Sequence, residues 1–132
     1  MARLVLVEFE DAGTSVKSRY PGPVAEIEKS VSIEVERWSE EGEPDAGQLR
    51  QRLQSEGYSV FQWTDAPGTR YGPHAHAEDQ SHWIISGALE LRVGHESYTL
   101  RAGDRDFLSA NTLHSAFVPD DEPVVYLIGA KT

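Results

Sequence analysis

The stretch G-T-R-Y-G-P-H-A-H-A-E-D-Q-S-H-W-I-I-S-G, residues 68–87, decides the fold. His74 and His76 are two apart, and alternate side chains of an extended chain leave the same face. Gln80 and His82 repeat that spacing on the strand predicted next. All five histidines lie between positions 74 and 114, and His114 arrives from a much later strand pattern. Three imidazoles converging on one interior, His74, His76 and His114, suit a borderline divalent metal. An isolated H-x-H is more often incidental than ligating, so the wider segment has to carry the reading.

Working outward, everything after residue 57 reads as short strands and turns. The candidates are Val60–Trp63, Arg70–His76, His82–Ser86, Ala88–Val93, Ser97–Leu100, Asp106–Leu108, Leu113–Val118 and Val124–Ile128. Pro67-Gly68, Gly72-Pro73, Gly87, Gly94-His95, Gly103-Asp104 and Pro119-Asp120-Asp121 punctuate them at regular intervals. Many short strands so spaced predict a β-sandwich or barrel.

The N-terminal part differs. Residues 2–10 read as a strand, Asp11 to Pro23 as a loop, and Val31, Ile33 and Val35 as the buried positions of a second strand ending near Trp38. One helix follows: Asp45 can cap it, Leu49 and Leu53 form a narrow apolar face, and Gly57 closes it. A barrel built from the later strands leaves the first two without an obvious pairing partner in the chain.

Length and composition bound the function. At 132 residues and 14.7 kDa the chain reads as one domain with room for a sizeable core. It has no cysteine, which excludes disulfides, thiolate metal sites and cysteine nucleophiles and fits a reducing, cytoplasmic setting. The net charge of -10 is spread over both halves, with no basic stripe for nucleic acid and a surface that repels anionic lipid. No apolar run approaches a membrane span, and the acids after Met1–Phe9 argue against a signal peptide. No phosphate-cradling glycine motif and no nucleophile elbow is visible.

The histidine-bearing segment resembles the cupin superfamily at both signature motifs. For G-x5-H-x-H-x3,4-E-x6-G the chain offers Gly68, His74, His76, Gln80 and Gly87, with Gln in place of Glu. For G-x5-P-x-G-x2-H-x3-N it offers Gly103 and His114, while Ser109, Asn111 and Val118 replace Pro, Gly and Asn. The resemblance covers roughly residues 58–129 and is similar to short, single-domain bacterial cupins with a helix before the strand leading to H-x-H. Asn111 suits the tight turn that the family's Gly makes, because Asn tolerates positive φ.

That resemblance implies an all-β fold, a single-domain cupin jelly-roll β-barrel over residues 58–132. Residues 1–57 would add N-terminal strands and one short helix packed on it. It implies one divalent transition metal (Fe, Mn, Ni, Zn or Cu) held by His74, His76, His114 and the amide oxygen of Gln80. A neutral Gln leaves the ion one more positive charge than Glu would. His82 is read as an extra ligand, as a base behind the ligands, or as an interior histidine packed beside Trp83 and Ile84. His95, Glu78, Asp79 and the Glu40-Glu41-Gly42-Glu43 run read as solvated.

Cavity candidates are Phe61, Trp63, Tyr71, Trp83, Phe107 and Phe117, with Arg70 and Tyr126 as polar handles. The set chosen as pocket is Phe61, Trp63, Tyr71, Phe107 and Tyr126, which suits a small organic molecule such as an aromatic or a keto acid. The implied function is a metal-dependent oxidoreductase of the dioxygenase kind, or an isomerase. The alternatives are a non-catalytic small-molecule or metal sensor, and a barrel with a vestigial site. Small cupins also imply a homodimer in which an N-terminal strand lies against the partner's sheet.

Overall fold

The computed structural model describes residues 3–7 and 32–131. In chain order the elements are β1 (Arg3–Val7), β2 (Ser32–Glu36), α1 (Ala46–Ser55), β3 (Ser59–Asp65), β4 (Arg70–His74) and β5 (Asp79–Ser86). There follow β6 (Ala88–Val93), β7 (Glu96–Arg101), β8 (Arg105–Leu108), β9 (His114–Phe117) and β10 (Val124–Lys131). They form two antiparallel sheets, one ordered β1-β2-β8-β5-β10-β3 and the other β4-β9-β6-β7. All eight strands read after residue 57 are present. The loop read over 11–23 and the ends of the first strand lie outside the described residues.

Alternation along the strands makes the core. Ile33 and Val35 of β2, Ile84 of β5, Leu89, Leu91 and Val93 of β6, and Leu108, Val118 and Val124 are each at most 3% exposed and meet between the sheets. The missing partner of the N-terminal strands is β8, which pairs with β2 from Ile33↔Leu108 to Glu36↔Arg105, while β1 pairs with the far edge of β2. β2 stops at Glu36, short of Trp38. There the Asp104 carboxylate accepts from Trp38 N–H and from Arg37, each at 2.9 Å, and so ties the end of β2 to the β7–β8 turn.

Helix α1 packs on the outer face of the six-stranded sheet through Leu49 and Leu53, against Tyr58, Trp83 and Leu127. The Asp45 side chain accepts from Gly47 N–H as its N-cap. Beyond its C-terminus, Glu56 receives both arms of the buried Arg105 guanidinium at 2.9 and 3.1 Å.

Gly87 turns β5 into β6 at φ 79°, and a Cβ there would stand 2.3 Å from the carbonyl oxygen of Pro123. Gly68 has nearly the same φ, 81°, but nothing within 4 Å of a Cβ. Gly68→Ala should therefore cost only the left-handed backbone term, about 1–2 kcal/mol. Gly87→Ala should cost that plus a backbone clash, about 2–5 kcal/mol in all. Urea unfolding of the two variants beside the parent checks the difference; equal losses would remove the close approach as its cause.

Candidate metal centre and cavity

Three histidines meet where the two ends of the H-x-H segment and β9 come together. His74 at the end of β4 pairs directly with His114 at the start of β9. His76 follows two residues on, and its carbonyl accepts from Asn111 N–H at 2.7 Å. Asn111 sits at φ 66°, as expected of the residue replacing a turn glycine. Ring centroids are 4.3 Å apart for His74–His114, 4.8 Å for His74–His76 and 5.1 Å for His76–His114. One ring nitrogen from each lies within 4.8 Å of the others.

The protonation chemistry suits a cation there. His74 Nδ1 lies 2.7 Å from the Gly72 carbonyl and His114 Nδ1 2.9 Å from that of Thr112. Each Nδ1–H is thereby occupied, which leaves the Nε2 lone pair as the free donor. Burial pushes the His114 pKa down to about 4, helped by the neighbouring imidazoles. Burial likewise lowers that of His76. A neutral imidazole whose Nδ1–H is held by a carbonyl, as at His114, presents the Nε2 lone pair that a divalent transition metal requires.

The cluster opens on a cavity of about 280 Å³. Gln80 and His82 line it from β5, Phe61 and Trp63 from β3, Tyr71 from β4, and Tyr126 and Ile128 from β10. Leu89, Leu91 and Ala116 close the opposite wall. Gln80 is buried, and its amide nitrogen donates to Glu78 Oε1 at 3.4 Å. His82 lies outside the three-histidine cluster. Its Nδ1 is 2.9 Å from Asp106 Oδ2, and its backbone N–H donates to Asp106 Oδ1 at 2.7 Å. Burial opposes protonation of His82, but the charge and hydrogen bond of Asp106 together outweigh it and raise the pKa.

Four of the five residues chosen as pocket, Phe61, Trp63, Tyr71 and Tyr126, line this cavity. Phe107 does not. On β8 the buried Asp106 faces the cavity side with its carboxylate on His82, so Phe107 takes the other face, where the Arg105 guanidinium lies 4.0 Å from its ring. Trp83 likewise points to the helix side, and Phe117 stacks with Arg70 at 4.1 Å in a separate groove, so Arg70 is no handle of this site. His95 is exposed in its turn, and Asp79 accepts from Ala110 N–H at 2.8 Å. Sequence reasoning missed Asp106, because nothing in the spacing of Gly103-Asp104-Arg105-Asp106 separates a structural acid from a site acid.

It also missed Asp65, which accepts from Trp63 Nε1 at 3.0 Å, Tyr71 OH at 2.7 Å and Tyr126 OH at 2.8 Å. The hydrogen bond to Asp65 raises the Tyr71 pKa, and burial followed by the same carboxylate raises that of Tyr126.

Comparison with known proteins agrees with this architecture. The Cupin domain family model matches residues 61–128. The chain is 31% identical over 68 residues to a mannose-1-phosphate guanylyltransferase from Salmonella muenchen, a match covering 51% of this chain and only 14% of that protein. A conserved protein with a double-stranded β-helix domain from Klebsiella pneumoniae superposes with a TM-score of 0.50 at 25% identity, over 55% of this chain and 65% of that one. The cupin domain of an XRE-family transcriptional regulator from Enterobacter cloacae superposes with a TM-score of 0.50 at 21% identity, over 60% of this chain and 85% of that one. With its family match covering half of the sequence and its strands closed into two facing antiparallel sheets, the chain belongs to the cupin family.

Proposed function

We propose that this chain is a metal-dependent enzyme that moves a proton on a small organic ligand, in the manner of an isomerase. His74, His76 and His114 would hold one divalent transition metal, with Gln80 as a fourth, amide ligand; iron, manganese, nickel, zinc and copper all suit such donors. A bound ion would supply Lewis acidity to a ligand oxygen. The observation that carries the reading is the His82–Asp106 pair on the cavity that holds the triad. Asp106 accepts a hydrogen bond from His82 Nδ1–H and orients the ring, so the second nitrogen of His82 is the group that would accept or return a proton. Aromatic and aliphatic side chains make up the rest of the cavity wall.

A non-catalytic binding role is the second reading, favoured by the neutral Gln80 where the family motif has a carboxylate. A dioxygenase-like oxidoreductase remains tied to the identity of the ion. Among the described residues no helix is long and apolar enough to cross a membrane; we place the protein in the cytoplasm, as a homodimer joined through the outer edge of β1. Light scattering at micromolar concentration should give twice the 14.7 kDa chain mass, and the single-chain mass would remove the dimer.

Metal analysis of untagged protein by mass spectrometry should find near one ion per chain, lost when His74, His76 and His114 are all changed to Ala. His82→Ala should keep the full stoichiometry if His82 is the base, whereas loss of the ion would make it a ligand. No ion after soaking with each candidate metal would overturn the metal reading.

His114 also sets a pH dependence for the metal-free fold. Its folded pKa, about 4, lies below the unfolded value of 6.5, so the unfolded chain binds the proton first. Its contribution is complete above pH 6.5 and fades as pH falls toward 4, by up to about 3 kcal/mol. His82, shifted the other way, acts with opposite sign and is common to both proteins when parent and His114→Gln are compared. The variant should lose the His114 component of the slope in denaturant melts between pH 7 and 4, and an unchanged slope would refute the assignment.

A further inference from the structure

Among the described residues Asp65 is a buried acid with no cation beside it. Three aspartates among the described residues are at most 8% exposed: Asp65, Asp104 and Asp106. Asp104 has Arg37 at 2.9 Å, and Asp106 has His82 at 2.9 Å. Among the described residues Asp65 has no ion-pair partner; it accepts only from the neutral donors Trp63, Tyr71 and Tyr126. Buried charges are ordinarily paired, because an uncompensated one is costly.

All three donors line the cavity, and the carboxylate gathers their N–H and O–H edges at one point. Aromatic faces carry negative electrostatic potential, and donating O–H or N–H to a carboxylate pushes more electron density into the rings. Phe61 adds a fourth ring, 6.4 Å from Trp63 and turned 84° to it, so the two make a corner. Trp63 and Tyr71 are 47% and 37% exposed, which leaves the cage open at the mouth. Among the described residues no lysine or arginine lines the cavity.

We propose that this mouth is a binding subsite for a methylated onium group, a quaternary ammonium or tertiary sulfonium. The ligand class is then a small betaine-like zwitterion, its cation against Trp63, Tyr71, Tyr126 and Phe61 and its carboxylate toward the histidine end. The carboxylate half rests on the metal reading above; the onium half does not. Tyr71 pairs with Ala116, two residues beyond the His74–His114 pair on β9, so the two ends are about one pleat period, ~7 Å, apart. A short alkyl chain bridges that gap.

The test uses two probes. Tetramethylammonium is titrated into metal-free protein while the Trp63 indole N–H is followed by NMR. It should shift saturably, and Trp63→Leu, a change at a half-exposed site, should weaken binding by between about twofold and thirtyfold. Asp65→Asn, which keeps an acceptor for the phenols but removes the charge, should weaken it over the same range while the protein stays folded.

Metal-loaded protein is then given 4-(trimethylammonio)butanoate and its uncharged-tail isostere 5,5-dimethylhexanoate in calorimetry. The cation should bind at least about twofold tighter, a preference that Asp65→Asn should abolish. Equal or tighter binding of the isostere, or no response to tetramethylammonium, would overturn the onium subsite and leave an apolar cavity. Tetramethylammonium binding without any binding of the zwitterion would uphold the subsite and refute the metal-bound carboxylate instead.

Discussion

Strand β5 is buried on both faces, and much of the molecule is arranged to satisfy it. Gln80, His82 and Ile84 face the space between the sheets, while Ser81 and Trp83 face the helix. A strand so enclosed has no water to meet its polar groups, so neighbours must. Ser81 Oγ donates to the Asp106 carbonyl at 2.6 Å, His82 N–H to the Asp106 carboxylate at 2.7 Å, and Trp83 Nε1 to the Gly103 carbonyl at 2.8 Å. All three acceptors come from β8 or the turn before it. These side-chain bonds fasten a strand pair whose direct register is sparse, at Gln80↔Leu108 and Trp83↔Arg105. With β8 held, β2 has an edge to join, and β1 joins β2.

The same constraint explains what could be read from the sequence. Strands after residue 57 were legible because turn residues separate runs of β-branched and aromatic side chains, and the helix because Asp45, Leu49, Leu53 and Gly57 mark its ends and inner face. The histidines were legible because two-residue spacing on a strand is a statement about one face. The pairing of β2 with β8 was not: it joins residues some seventy positions apart, and alternation in Ile33 and Val35 gives a buried face without naming the neighbour. Phe107 was misplaced for a related reason. On a four-residue strand one position decides which aromatic faces inward, and the Asp106–His82 contact, invisible in either segment alone, decides it.

The buried polar groups sort by how their charge is met. Arg105, 2% exposed, lies between the rings of Trp83 at 4.2 Å and Phe107 at 4.0 Å, with Ser81 and Glu56 taking its N–H groups. Asp104 closes the β7–β8 turn on Arg37, and Asp106 is set against an imidazole. Each holds two distant segments together, and removing the more exposed partner, Arg37 or Glu56, would leave the buried Asp104 or Arg105 uncompensated. Among the described residues few acids are buried, and each stands at a junction between elements.

The cavity follows a different logic. Its polar wall includes His74, His76, His114, His82 and Gln80, and among the described residues no acid lines it. Glutamine in place of glutamate changes the electrostatics more than the shape, since the two side chains are nearly isosteric while only one is charged. An ion held, as proposed, by three imidazoles and an amide would keep its full double charge in an apolar setting, where opposite charges attract strongly. Neutralisation would then fall to whatever enters the cavity, and a ligand oxygen bearing negative charge would gain more there than beside a carboxylate ligand. With a metal bound as proposed, the single residue by which the H-x-H motif departs from its family pattern would shift the work of charge balance from the protein to its ligand.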